Sequence, residues 1–313
     1  MTQAVMSSRW GWRRQAGWFV GVAALVLGGG ALNNMFAQRD LSSVEVKVEK
    51  VAGPVHVLFG AGGNIGVSAG EDGLLMVDDQ FAELEDKIRA AMKGLAKGEL
   101  GFVLNTHYHG DHTGGNAQFG VDAPIVAHTN VRKRLGDREH PPLGSTEVMP
   151  KVGLPVITFD DSLSIHFNGE EIKVVHFPTS HTDGDSIIFF TGSNVVHMGD
   201  TMFASGFPFV DINGGGTVPG LIRTVTAVLG EVADDVKIIP GHGALSTKSD
   251  LRDYLEMLKQ TSRVVEKKMQ AGKSLDEIKA EGLPAKFEDW GKGFISTERW
   301  IETIHTSLEL AGA

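Results

Sequence analysis

The feature that most constrains this chain is residues 105–116, N-T-H-Y-H-G-D-H-T-G-G-N, at the end of the apolar run FVL. Three histidines and an aspartate, His107, His109, Asp111 and His112, fall within six residues. Alternate side chains of a strand point the same way, so a strand-to-helix turn here gathers imidazoles and a carboxylate at one place. Four such groups in a folded interior carry an uncompensated desolvation and charge cost unless a cation binds them. The chain has no cysteine. Disulfides and thiolate ligands are therefore excluded, and any metal must be held by His, Asp or Glu.

The flanking sequence reads as many short elements. Glycine supplies 40 of 313 residues, about twice the usual share of roughly 7%, clustered between apolar runs as tight turns require. From residue 44, VEVKV, VHVLF, NIGVSAG and GLLMVDD read as antiparallel strands of a meander. Residues 81–96 have helical apolar spacing, 102–106 and 124–128 read as buried strands, and the Pro-rich stretch 136–155 reads as a surface loop near the site. Further strands are expected at 156–159, 162–167, 171–177, 186–191, 194–197 and 236–240, with a helix over 218–229 and helices from about 248 to the end. Two βα halves, each with its own sheet, predict an α/β domain over 44–313 built as a four-layer αββα sandwich.

The H-x-H-x-D-H spelling resembles the metallo-β-lactamase superfamily, and further landmarks follow in that family's order. They are Asp78 in LLMVDD, His181 in SHTDGDS, Asp200 in HMGDTMF and His242 in IPGHG. Taken singly, His181, Asp200 and His242 would be uninformative; their order carries the resemblance, which covers about residues 51–245. It implies the αββα fold with two metal ions between the sheets. His107, His109 and His181 would ligate one ion and Asp111, His112 and His242 the other, with Asp200 bridging. Asp78 would orient a ligand histidine from outside, and Asn116, Thr182 and Asp185 match structural positions. Two Zn²⁺ are the default for such ligands, although Fe or Mn occupy some relatives. His56, His128, His166, His176, His197 and His305 have no spacing that links them to this set.

A metal pair of this kind implies hydrolysis. A bridging hydroxide would attack a carbonyl or phosphoryl centre, the second metal would steady the developing anion, and Asp111 would orient the nucleophile or move its proton. No serine or cysteine nucleophile is needed. Phe203, Phe207 and Phe209 follow Asp200 closely and are wall candidates for a hydrophobic ester, lactone or β-lactam. His140, in the Pro-rich loop, is a further substrate-contact candidate, and Gly214 to Gly216 open a helix whose amides are candidates to receive an anion. Lack of cysteine excludes the Cys-ligated metallo-β-lactamase subclasses. The His-rich set resembles the remaining subclass, whereas Asp200 resembles the bridging carboxylate of glyoxalase II and of lactonases. The tail after His242, with Trp290 and Trp300, does not match the glutathione-binding helices of glyoxalase II, so a glutathione thioester is not favoured. A β-lactamase is the alternative. Readings of another class are an iron-binding redox enzyme and a metal-binding protein without catalysis. The di-iron flavoproteins, however, carry Glu where this chain has His109, and Asp111 and Asp200 argue against a non-catalytic role.

A formal charge of −10, with no basic stripe, would repel a phosphate backbone, so the expected partner is a small molecule and not a nucleic acid. Positive charge is dense only at residues 9–14 (RWGWRR), before the uncharged, mostly apolar run 16–32. That order reads as a secretory signal over residues 1–37, cleaved after Ala37. The alternative is an uncleaved signal anchor, through which alone the chain would touch a membrane. Either places the domain outside the cytoplasm, in the periplasm of a Gram-negative source.

Overall fold

A computed structural model describes residues 41–137 and 148–312. The signal or anchor reading of residues 1–37 and the candidate His140 lie outside the described residues. No helix among the described residues is long and apolar enough to cross a membrane.

The first sheet has seven strands in sequential order: β1 (Lys47–Ala52), β2 (Val55–Phe59), β3 (Ile65–Gly70), β4 (Gly73–Val77), β5 (Leu100–Leu104), β6 (Ile125–His128) and β7 (Ile157–Phe159). Pairing is antiparallel as far as β4 and parallel from β4 to β7. The second sheet contains β8 (Ser162–Phe167), β9 (Glu170–His176), β10 (Ser186–Phe190), β11 (Val195–His197), β12 (Lys237–Ile239) and β13 (Ser246–Thr247), in the order β13-β12-β11-β10-β9-β8. The central strands are apolar throughout because both of their faces are covered. On β4, Leu75 and Val77 face the second sheet and join Val57, Ile188 and Val195 in one buried cluster. Leu74 and Met76 alternate to the outer face, where Leu84, Ile88 and Met92 cover them. On β10 the same alternation sends Ile188 inward and Ile187 outward.

Helices form the outer layers. On the first sheet the long apolar spacing at 81–96 resolves into a 3-10 turn, Ala82–Leu84, and helix α1, Glu85–Met92. It ends early because Gly94, just past its last turn, is a poor helix former. Leu95 and Ala96 still pack on the cluster and so produce the longer apolar pattern. The second sheet is covered by α2 (Val218–Glu231), α3 (Lys248–Gln270), α4 (Leu275–Glu281) and α5 (Thr297–Gly312). Thr247 with Asp250, and Ser274 with Glu277, form capping boxes at the starts of α3 and α4. The tail is thus a structural layer: Trp300 is fully buried and its Nε1 donates to Thr261 Oγ1 at 3.0 Å.

Candidate metal centre

The site lies between the sheets, at the ends of β5, β11 and β12 and in the β9–β10 loop. After β5 the chain turns sharply, held by a reciprocal amide pair between Asn105 and Asn116 (2.9 and 3.0 Å). Asp78, just past β4 with a φ of 62°, turns its carboxylate into this bend. Its Oδ1 accepts from Thr106 N (2.8 Å), and its Oδ2 accepts from Thr106 Oγ1 (2.7 Å) and lies 2.7 Å from His112 Nδ1. Asp78 therefore fixes the ring of His112, a candidate ligand, from outside the group, the place an outer carboxylate takes.

Two groups of candidate ligand atoms form. In the first, His109 Nδ1 lies 3.1 Å from His107 Nε2 and 3.0 Å from His181 Nε2. Asp200 Oδ2 is 3.6 Å from His181 Nε2 and 3.9 Å from His107 Nε2. In the second, His242 Nε2 lies 3.4 Å from His112 Nε2 and 3.3 Å from Asp111 Oδ2, and Asp200 Oδ1 is 3.0 Å from His112 Nε2. All seven proposed ligands are therefore brought together, with the two oxygens of Asp200 directed at different groups.

The donors fit metal ions. Two nitrogens bound to one tetrahedral zinc stand about 3.3 Å apart, close to the spacings in the first group. Asp200 Oδ1 is buried with the His112 and His242 ring nitrogens near it, at 3.0 and 3.4 Å, a setting that suits a ligand atom aimed at an ion. Charge points the same way. Burial opposes a proton on His242, but Asp200 and Asp111 outweigh it and push the ring up to about 10. Likewise burial is outweighed at His112 by Asp200, Asp111 and Asp78, which raise it well above the usual imidazole value. Without an ion, the second group draws protons to satisfy its carboxylates. In the first group burial dominates, taking His181 down to about 4 and His107 well below its usual value, the direction that suits rings acting as neutral ligands.

Each ring of the first group is held by its other nitrogen: His107 Nδ1 by Thr106 Oγ1 (3.0 Å), His181 Nδ1 by Phe209 O (2.8 Å), and His109 Nε2 by Asp211 Oδ2 (3.0 Å). Asp211 is a residue that sequence reasoning missed. It also accepts from the Tyr108 hydroxyl and, through Oδ1, from Gly214 N at 2.8 Å. Burial opposes its charge, but His109 and Tyr108 hold the carboxyl below the usual range. The only sequence signal was an acidic residue before a glycine run in a loop. The His181 loop is braced internally by Asp185, which accepts from Thr182 N at 2.8 Å and from Thr182 Oγ1 at 2.5 Å. Arg134 grips the same loop through two 2.7 Å bonds to Asp183.

The wall candidates divide. Phe203 stacks on His242 (5.1 Å between centroids, 17°), and Phe209 lies 5.8 Å from His109. Phe207 is corrected: it is 2% exposed and stacks on Trp300 at 5.6 Å, so it belongs to the core beneath the tail helices. The anion-receiving role of Gly214 to Gly216 is also corrected, since all three amides are used within the loop. At the start of α2, Val218 N donates to Ser307 Oγ and Gly220 N to Thr217 Oγ1, and Pro219 has no N–H. Residues 66–70, G-V-S-A-G, spell the G-x-S-x-G pattern of a serine elbow, but they lie within β3 and Ser68 is fully buried. They therefore supply no nucleophile. His128 and His176 stack on each other (3.6 Å, 8°) and His197 Nε2 donates to Asn64 O (2.9 Å), none of them joining either ligand group.

Comparison with known proteins agrees with this geometry. The family model described as the metallo-beta-lactamase superfamily matches residues 60–256. A hydroxyacylglutathione hydrolase from Gloeobacter violaceus is 31% identical over 123 residues, covering 39% of this chain and 40% of the relative. One from Nitrosococcus oceani is 32% identical over 145 residues, covering 45% and 47%. The chain thus spans less than half the length of these curated relatives. Among solved structures, a stereoselective inverting sec-alkylsulfatase from Pseudomonas sp. superposes with a TM-score of 0.63 at 15% identity, over 83% of this chain and 50% of that one. A metallo-beta-lactamase from Pontibacter korlensis gives 0.53 at 15% identity, over 69% and 99%. At these identities the likeness is one of fold.

Proposed function

This chain belongs to the metallo-beta-lactamase superfamily, and from that premise we propose that it is a hydrolase using two divalent ions, zinc by donor type, on a small ester, lactone or amide. The observation that carries the reading is Asp200, whose two oxygens face two separate histidine groups. His107, His109 and His181 would hold one ion, Asp111, His112 and His242 the other, and Asp200 both. Bound ions supply Lewis acidity and lower the pKa of a water from its bulk value to near 7.

The chain's own residues do the rest. Asp111 would orient the attacking water or move its proton; its Oδ2 stands 3.3 Å from His242 Nε2, inside the second candidate ligand group. Burial opposes its charge, but His112 and His242 outweigh burial and bring the carboxyl down to about 2, so it is ionised at neutral pH. Phe203 and Phe209 present apolar surface beside the ligands and favour an apolar acyl or leaving group. The curated relatives support a second reading, a thioester substrate. The basic and then apolar residues 9–32 support export.

The test is metal analysis of the full-length protein followed by turnover of aryl esters, lactones, β-lactams, S-acylglutathione and phosphodiesters, with and without chelator. Two ions per chain and chelator-sensitive cleavage of a carbonyl substrate are expected. A fully metallated protein that cleaves only phosphodiesters, or shows a visible iron spectrum with redox turnover, overturns the reading. Recovery of intact residues 1–37 on a cytoplasmic protein overturns export.

A further inference from the structure

His242 differs from the other ligand histidines. Its side chain is 32% exposed, against 0–4% for His107, His109, His112 and His181. Among the described residues its Nδ1 has no hydrogen-bond partner, whereas each of the other four rings is held by its second nitrogen. It also sits between Gly241 and Gly243, the latter with a φ of 95°, so its own backbone is permissive. Something else must fix the imidazole.

Asn64, in the turn between β2 and β3, makes the required bonds. Its Nδ2 donates to Pro240 O at 2.9 Å and to Gly243 O at 2.8 Å. Its backbone N–H donates to Gly241 O at 2.7 Å. Three of the four carbonyls from 240 to 243 thus end on one residue, and the fourth, His242 O, accepts from Ala204 N at 2.9 Å. Both side-chain partners are carbonyls, which only accept, so the amide nitrogen must face them. The next residue back, Gly63, donates its N–H to Asp111 O at 3.0 Å. Residues 63 and 64 therefore link the first sheet's Asp111 to the second sheet's His242. Asn64 O also accepts from His197 Nε2 (2.9 Å) at the end of β11, two residues before the turn Gly199–Thr201 that carries Asp200.

We infer that Asn64 is a positioning residue for the second metal position, holding His242 at the distance from His112 and Asp111 that one ion needs. A residue of this size needs two N–H donors on one atom. Aspartate has the same shape and no donor, and serine has one. The Asn64 side chain bonds only Pro240 O and Gly243 O and touches none of His107, His109 and His181, the rings of the first position. The inference rests on the two-ion reading above.

The experiment is stepwise Zn²⁺ titration of the full-length protein against a chromophoric chelator, with metal content after dialysis and a thermal melt of the metal-free protein. Wild type should take two ions. Asn64→Asp should keep one at wild-type affinity and bind the other about 10- to 100-fold more weakly, the range for outer partners of metal ligands. A general packing role would weaken both ions together. If metal-free Asn64→Asp does not fold, Asn64→Ser is read in the same way. Two ions retained at wild-type affinity, or both weakened equally, overturn the positioning role. A wild-type protein that saturates at one ion overturns the two-ion reading instead, and this inference with it.

Discussion

Asp211→Asn isolates the role of an outer carboxylate. His109 presents Nδ1 to the first ligand group, at 3.1 Å from His107 Nε2 and 3.0 Å from His181 Nε2. As a neutral ligand it must carry its proton on Nε2 and donate it to Asp211 Oδ2 at 3.0 Å. Asparagine keeps the size but has one acceptor oxygen for donors on both sides, His109 and Tyr108 at Oδ2 and Gly214 N at Oδ1. With the amide oxygen toward His109, the new NH₂ faces the Gly214 N–H. Flipped, the NH₂ faces His109 and drives its proton onto Nδ1, the atom an ion would need. Either way one hydrogen bond to a charged acceptor is lost, worth about 1.5–3 kcal/mol. In the flipped orientation, where an ion must first displace the proton on Nδ1, that is roughly a 10- to 100-fold loss of affinity for one ion at about 1.4 kcal/mol per decade. Chelator competition reads it directly. The ion lost should be the one that Asn64→Asp retains, so the double variant should lose both. A folded Asp211→Asn protein with both affinities unchanged, or a double variant no weaker than either single one, would refute the tautomer argument.

Three further outcomes are expected. Gly63→Ala would push a Cβ into the His112 ring, which is fully buried and cannot yield, so the variant should lose about 1–3 kcal/mol of stability in urea and bind the second ion more weakly; wild-type metal affinity would count against that packing. Phe207→Ala should cost about 3–5 kcal/mol while leaving metal stoichiometry intact. Wild-type stability with altered substrate preference would return Phe207 to the substrate wall. The third outcome concerns pH. Burial lowers the pKa of both His128 and His176, and the charge of stacked His176 lowers His128 further. The unfolded chain then takes up protons below about pH 6.5 that the folded pair refuses, so their stabilisation is complete above that value and is lost as pH falls through their folded values. Thermal melts of the metal-free protein should fall more steeply with acid in wild type than in His176→Gln; equal slopes would exclude the pair as a contributor.

What could be read in the sequence follows from the range of the interactions. His107, His109, Asp111 and His112 were legible because one strand-to-helix turn places all four. His181, Asp200 and His242 became legible only as an ordered series, since nothing local to them specifies a ligand. The strands were legible because a sheet covered on both faces demands unbroken apolar runs, as in GLLMV. Asp211 escaped because its meaning depends on meeting His109, 102 residues away, in a loop without periodicity. The three phenylalanines after Asp200 share such a loop, where spacing says nothing about direction. Phe207 turns inward only because Trp290 and Trp300, contributed by the tail, make a place for it. The glycine run 214–216 misled for a related reason. It suggested free amides at a helix start, yet a side chain at Gly216 would overlap the carbonyl of His181. The residue is small so that the loop bearing Asp211 can lie against the loop bearing His181, and Asp211 N donates to His181 O at 2.9 Å across that contact. The spacing that removes room for an anion there is what lets the Asp211 carboxylate reach His109.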